Sequence, residues 1–188
     1  MIGAITAGLL GTGAAAGGGT SYESIATVSV GSGGSSSISF SSIPSTYKHL
    51  QIRGIARSST AATYGYMTVT FNSDSASNYS WHYLEGSGAA ASAAAATSQP
   101  YMVIESTTAA SLGSNIFGAF VADILDYADT NKYKTLRELS GSDGNGSGYI
   151  DFASGNWRST SAVNAISISL NAGNFVQYSQ IALYGIKG

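Results

Sequence analysis

Residues 166–170 read ISISL, and this short stretch carries the pattern that decides the fold. Ile166, Ile168 and Leu170 alternate with serines, and a β-strand points successive side chains to opposite faces. One face of this segment is therefore apolar, while the other carries hydroxyl groups. The same alternation recurs in residues 37–41, 50–53 and 67–71. The pattern predicts antiparallel strands that bury one face each.

Further segments have strand character and are separated by Gly and Ser clusters at short intervals. They are residues 22–30, 100–106, 115–127, 133–139, 149–153 and 175–187. About ten strands with these spacings predict an all-β protein, built as an antiparallel two-sheet β-sandwich of the jelly-roll type. The chain is long enough for one such domain, which we place at residues 21–188, after a short extended N-terminal arm at residues 1–20.

Some segments depart from simple alternation. Residues 115–127 are apolar on both parities, so we expect a central strand that is covered on both faces. Residues 76–85 are compatible with a helical turn. The alanine run 89–96 is short and lacks an amphipathic stripe, so it is predicted to be a loop at one end of the sandwich. Gly54, inside a strand pattern, indicates a bulge or a close backbone approach.

The composition excludes several classes of partner. Only 10% of the residues are charged, compared with roughly 25% in an average globular domain. The net charge is −2, and no basic stripe is present that would bind nucleic acid or an anionic membrane surface. No segment reaches the ~18 consecutive apolar residues that cross a bilayer, so we expect a soluble protein. Without cysteine there are no disulfides, thiolate metal sites or cysteine nucleophiles.

The Gly- and Ala-rich start of the chain can be interpreted in three ways. A secretory signal is not expected, because no positive charge precedes Lys48. A dinucleotide loop is not expected either, because Gly11, Gly13 and Gly17 lack the flanking strand and helix that it needs. Ordering a Gly-rich backbone costs conformational entropy. We therefore expect the segment to be ordered only when another molecule or its own domain holds it. We favour an arm that anchors on a partner through Ile2, Ile5, Leu9 and Leu10.

No catalytic arrangement emerges from the sequence. A hydroxyl nucleophile needs a neighbouring base, and the only imidazoles, His49 and His82, are interpreted as half-buried packing residues. Asp123 and Asp126 would point to opposite faces of one strand, and Asp129 lies in a turn, so no acid and base pair is predicted. We therefore expect a protein that is not an enzyme and that uses no cofactor.

One loop resembles a calcium site in its spacing. Residues 143–154, DGNGSGYIDFAS, place oxygen-bearing side chains at the intervals of an EF-hand loop. Ser154 stands where the closing bidentate Glu is required, and both flanks are strands. Any calcium affinity is thus expected to be low, and a Gly-rich hairpin explains the same residues. The calcium candidates are Asp143, Asn145, Ser147 and Asp151.

Aromatic residues offer a second kind of candidate site. The chain has 12 tyrosines and 2 tryptophans on a background rich in hydroxyl groups. Exposed aromatics on a neutral surface are typical of sugar-binding faces and of protein interfaces. Trp81, Tyr83 and Trp157 fall in segments 72–99 and 140–160, which we expect to be end loops. For any one of these residues, a place in the core or at a sheet rim is the alternative.

Several long stretches together resemble small β-sandwich structural proteins of tailed-bacteriophage virions, a group that includes capsid decoration, cement and fibre-like components. The resemblance lies in residues 21–58, 123–148, 154–170 and 177–188, and it extends to the start, IGAITAGLLGTG. The Ala- and Ser-rich middle of the chain contributes least.

This resemblance implies a non-enzymatic structural protein that decorates or cements the capsid or neck surface of a virion assembled in the host cytoplasm. The implied partners are other virion proteins, such as major capsid, portal, neck or tail subunits. It also implies a homo-oligomer, for which a trimer is the expectation by analogy. The alternative function is a receptor- or glycan-binding module at a fibre tip, which would bind a host-surface glycan.

Overall fold

The computed structural model describes residues 21–188, and the predicted arm with Ile2, Ile5, Leu9 and Leu10 lies outside the described residues. The described part is built from twelve strands. No helix in it is long and apolar enough to cross a membrane. The strands are β1 (Tyr22–Ser29), β2 (Ser37–Phe40), β3 (His49–Ala56), β4 (Tyr64–Phe71), β5 (Tyr79–Gly86), β6 (Ala91–Gln99), β7 (Met102–Thr108), β8 (Gly118–Leu125), β9 (Lys134–Asp143), β10 (Gly148–Trp157), β11 (Ile166–Leu170) and β12 (Gln180–Ile186).

The strands form two antiparallel sheets that make a sandwich, as predicted. The large sheet has the order β1-β12-β3-β8-β9-β10-β5-β6, and the small sheet has the order β2-β11-β4-β7. Without the β5–β6 and β9–β10 hairpins, eight strands remain. When these eight strands are numbered anew in chain order, one sheet has the order first, eighth, third, sixth. The other sheet has the order second, seventh, fourth, fifth. This arrangement is the double Greek key of a jelly roll.

The two hairpins are insertions that widen only the large sheet. The β5–β6 hairpin follows β4, and the β9–β10 hairpin follows β8. Both join the same edge of the large sheet, beyond β8. The small sheet therefore faces only part of its partner, and its edge strand β7 packs mainly beneath β9 and β10.

The core consists of the apolar side chains that occupy every second position of the alternating strands. Ile166, Ile168 and Leu170 of β11 lie opposite Phe71, Val69 and Met67 of β4 in the small sheet. All of these side chains are buried against the large sheet. Burying one such side chain contributes about 1.5–3 kcal/mol. The serines of the same strand lie on the other face, and Ser167 there faces Ser39 of β2 with 3.1 Å between their hydroxyl oxygens.

Two predictions about the middle of the chain are wrong. The segment 76–85, compatible with a helical turn, contains β5, and the alanine run 89–96, predicted to be a loop, lies mostly in β6. The ladder between β5 and β6 pairs Gly86 with Ala91 and Trp81 with Ala96. Cross-strand hydrogen bonding thus overrides the helix preference of alanine, which is a weak local effect.

The segment 115–127 also differs from its prediction. Its strand β8 is shorter, and its burial alternates, with Phe120, Ala122 and Ile124 inside and Ala119 exposed on the other face. Covering both faces would need a third layer, which the described residues do not supply. The prediction for Gly54 is confirmed as a close approach. A Cβ atom there would lie 2.8 Å from the Phe120 ring.

A buried cation anchors the connection between β7 and β8. Arg57 is only 6% exposed, and its guanidinium donates hydrogen bonds to backbone carbonyls of this connection. The acceptors are the carbonyls of Gly113 at 2.6 Å, Leu112 at 3.0 Å, Ala110 at 3.2 Å and Ile116 at 3.3 Å. Dense donation from one guanidinium fixes a segment that has no ladder of its own.

Close contact between the sheets limits substitution at Gly118. A Cβ atom there would lie 2.6 Å from the carbonyl oxygen of Ser106 and 3.2 Å from the Cα of Thr107. Because these are backbone atoms, they have little freedom to move. We expect Gly118→Ala to lower the free energy of unfolding by roughly 1–3 kcal/mol, measured by chemical denaturation. Gly31→Ala is the control, since nothing lies within 4 Å of that position. Equal effects of the two substitutions would contradict this packing.

Candidate functional site

The unequal width of the sheets creates the most distinctive region of the molecule. Strand β5 reaches past β7, and β6 lies beyond it as the edge of the large sheet. We call this β5–β6 hairpin the overhang. Its inner face borders the small sheet, and residues 91–95 of β6 are exposed on both faces. Surfaces for binding are therefore concentrated at this side of the sandwich.

Four carboxylates gather where the overhang meets the small sheet. Glu138 of β9 and Asp151 of β10 are 2% and 0% exposed. Glu105 of β7 lies beside them, and its backbone N–H donates to Glu138 Oε1 at 3.4 Å. Glu85 of β5 is the cross-strand neighbour of Asp151. Within residues 21–188, none of these four groups forms an ion pair.

Burial sets the protonation of this carboxylate cluster. Loss of solvent raises the pKa of Glu138 to about 8. Loss of solvent, with the negative charges of Asp151 and Glu85 nearby, raises the pKa of Glu105 to about 7. The pKa of Asp151 is also raised by burial, although the Ser106 hydroxyl donates a hydrogen bond to it. Protonation of Glu138 and Glu105 near neutral pH reduces the repulsion within the cluster.

A small polar cavity opens beside the carboxylate cluster. Its volume is about 190 Å³, and Glu85 and Glu105 line it together with Ser106. Tyr64 and Tyr149 form its aromatic wall, with ring centroids 4.8 Å apart in an edge-to-face arrangement. Hydroxyl, carboxylate and aromatic groups in one concavity are the elements that bind small polar molecules.

An aromatic pair lies on the inner face of the overhang. The rings of Trp81 and Tyr83 are stacked, with centroids 5.9 Å apart and planes 19° from parallel. The indole N–H of Trp81 has no hydrogen-bond partner within the described chain. Small side chains of β6, Ala96 and Ala94, lie opposite the two rings in the ladder. The indole nitrogen of Trp81 is buried, so the pair presents an apolar platform only.

The outer face of the large sheet carries an apolar patch. Leu84, Phe152 and Leu139 are neighbours across three strands, and each is between 39% and 56% exposed. Ile150 on β10 and Ile55 on β3 continue it in the next row. We call these five residues the outer patch. A group of exposed large apolar side chains on one face is typical of an interaction surface.

The charged residues on the rest of that face already have partners. Gln51 donates to Asp123 at 2.6 Å, and Arg137 contacts the same carboxylate at 3.3 Å. Arg53 lies over the Tyr22 ring at 5.0 Å from its centroid. Because these charges already have partners, the outer patch is the part of the face left to bind another molecule.

The calcium candidates lie in two different environments. Asp143 accepts a hydrogen bond from the Asn145 backbone at 2.7 Å within the β9–β10 turn, and Ser147 contacts Tyr64 at 3.2 Å. Asp151 lies inside strand β10, buried and bonded to Ser106. No group of three or more His, Asp or Glu side chains in residues 21–188 is arranged to hold a metal ion. Residues 143–154 therefore belong to the β9–β10 hairpin, which was the alternative to a calcium loop.

Trp157, predicted to be displayed beside Trp81 and Tyr83, is a core residue. It is 3% exposed and packs edge-to-face on Phe71, and its indole N–H donates to Asp74 at 2.7 Å. The predicted end loops 72–99 and 140–160 consist largely of strands, which explains the difference. Only Trp81 and Tyr83 of the three remain available at a surface.

Most of the remaining titratable candidates have structural roles. His49 is half-buried, as predicted, and accepts a hydrogen bond from the Asp126 backbone N–H at 3.0 Å. His82 is exposed on β5, so its interpretation as a half-buried packing residue is wrong. Lys48 and Lys132 hold the Asp126 carboxylate at 2.7 and 2.5 Å and lower its pKa to about 2. Asp129 accepts from the Asn131 backbone at 2.8 Å in its turn. The pKa of Asp126 is thus lowered by its lysine partners, whereas burial raises the pKa values of Glu105 and Glu138.

Sequence reasoning did not identify the carboxylate cluster. A signal was present, because Glu138 shares its strand parity with the core residue Leu136. The opposite parity contains Leu139, so the pattern alone does not tell which side faces inward. Glu85, Glu105 and Asp151 lie on three strands that are far apart in the sequence, and only the fold brings them together.

The buried carboxylates predict a stability that depends on pH. Glu138 and Glu105 keep protons in the folded state that the unfolded chain releases near pH 4.5, so the free energy of unfolding falls as pH rises from 5 to 8. Each group contributes a slope of up to about 1.4 kcal/mol per pH unit. Glu138→Gln should reduce that slope and make the variant more stable than the wild type at pH 9.

Urea denaturation at several pH values measures both effects. Glu23→Gln is the control, since Lys187 holds the pKa of Glu23 below 4.5 and its titration lies outside this range. A wild-type stability that rises between pH 5 and 8 would contradict the protonation assigned to the cluster.

Comparison with protein-family models, with curated proteins and with solved structures gives no match to this chain.

Proposed function

We propose that the protein is a non-enzymatic structural component of a tailed-phage virion, which decorates or cements the capsid or neck surface. It would be assembled in the host cytoplasm, and residues 1–20 would anchor it on other virion proteins. The outer patch is the observation that supports this proposal most. Five large apolar side chains exposed on one face of a charge-poor sandwich are suited to permanent contact with a neighbour.

Further support comes from the charged residues on the rest of the same face. Arg137 pairs with Asp123 and Arg53 lies over the Tyr22 ring, so a neighbour that covers the outer patch does not have to remove an unpaired charge from water. Many copies on one particle also bind firmly when each contact is modest. The resemblance inferred from residues 21–58 and 123–148 of the sequence points to the same class of protein.

Particle binding tests this role. Full-length protein is mixed with tailed-phage particles that lack it, and the bound fraction is measured after sedimentation. Phe152→Asp should reduce the bound protein about tenfold or more, because a charge is placed in the middle of the outer patch. Ser154→Asp, on the same strand and face but outside the patch, is the matched control. Deletion of residues 1–20 should abolish binding and leave the sandwich folded. Full occupancy with both variants would overturn the proposal.

The aromatic pair supports a second candidate, a receptor- or glycan-binding module. Trp81 and Tyr83 form a stacked platform beside the polar cavity that contains Glu85 and Glu105. Sugars bind aromatic faces through their C–H groups and use carboxylates as hydrogen-bond acceptors.

A glycan array and host-cell adsorption of the purified chain test this candidate. Trp81→Ala should lower the bound signal about tenfold or more, while Tyr178→Ala, an exposed aromatic outside the platform, should leave it unchanged. No bound glycan and no adsorbed cells with the wild-type chain would exclude this function.

A further inference from the structure

The overhang ends in an unusually bare edge strand. Strand β6 reads ASAAAATSQ, and contains no charged residue and no proline. Residues 91–96 pair regularly with β5, so this stretch is extended. Its other edge carries backbone N–H and C=O groups that face no further strand in the described chain. Edges of this kind form hydrogen bonds with another strand when one is offered.

The other sheet edges within residues 21–188 are protected. Strand β1 has a bulge between Ser24 and Ala26, and the ion pair of Glu23 with Lys187 at 2.5 Å flanks it. Strand β2 has four residues only. Strand β7 packs beneath the large sheet. Bulges, short strands, charges and coverage are the devices that block edge pairing. The bulge of β6 lies beyond Ala96, where its register with β5 shifts, so residues 91–96 have none of these devices.

We propose that β6 pairs antiparallel with β6 of a second copy of the chain, around a two-fold axis perpendicular to the sheet. The two large sheets then form one continuous sheet. A second copy fits because it presents the same bare and neutral edge, and one isologous contact satisfies both edges at once. This association goes beyond the virion role and does not depend on it.

The side chains of β6 fit this self-pairing. Antiparallel pairing of residues 91–96 with themselves places Ala or Ser opposite Ala or Ser, so neither large side chains nor like charges meet. Ala93 ends the apolar row that runs through Leu84 and Phe152. Pairing therefore brings the outer patches of the two copies onto one shared face. The low charge of the chain adds little repulsion.

Sedimentation of the full chain across a range of concentrations tests the proposal. The wild type should form a dimer. Ala93→Lys and Ala95→Lys each place charges across the two-fold axis and should weaken the dimer about tenfold or more. Thr27→Lys, an exposed site on β1, is the matched control and should leave dimerisation unchanged. All three sites are exposed, so the substitutions should leave the fold intact. An unchanged melting temperature checks that the variants remain folded.

Crosslinking locates the contact. The chain has no cysteine, so Ala94→Cys introduces a single thiol that should form an intermolecular disulfide on oxidation with diamide, whereas Thr27→Cys should not. A monomer at every concentration, or a dimer that Ala93→Lys leaves intact, would overturn the proposal. A dimer that is lost only on deletion of residues 1–20 would also overturn it, because dimerisation would then depend on the arm and not on the β6 edge.

Discussion

The jelly roll depends on one constraint, the burial of a single face of every strand between two sheets of unequal width. The small sheet covers the large one only as far as β7 reaches. Where coverage is complete, the interior is apolar, as at Ile168, Val69 and Leu50. Where it ends, the inward positions become polar or aromatic, as at Glu138 and Trp81. The sites described here follow from that partial coverage.

Buried charges in this sandwich are held in two different ways. Lys134 is fully buried, and its ammonium donates to the carbonyls of Asp129, Lys132 and Thr160 at 2.6, 2.7 and 3.2 Å. Arg57 is held by carbonyls in the same manner. Glu105 and Glu138 at the overhang have no cation among the described residues, and their raised pKa values allow them to be buried there. A buried charge with dense partners stabilises the surrounding loops, whereas a cluster without partners makes stability depend on pH.

The exposed surfaces point toward association more than toward chemistry. The outer patch and the β6 edge lie on adjoining parts of the large sheet, since Leu84 pairs directly with Ala93. One surface offers apolar area and the other offers backbone hydrogen bonds. A chain with two such surfaces can contact one neighbour through its face and a second copy through its edge at the same time. The inner face of the overhang remains open in that arrangement for a small polar ligand.

The sequence alone determined the fold class, because strict alternation as in ISISL leaves only one face of a strand to bury. It did not determine β5 or β6, because the alanines of β6 become a strand only when β5, itself paired with β10, supplies a ladder. It also placed Trp157 at the surface, whereas Phe71 and Asp74 from distant segments enclose it. Tertiary structure alone decided which face of β9 turns inward and which carboxylates meet, because those contacts join strands far apart in the chain and local patterns contain no information about them.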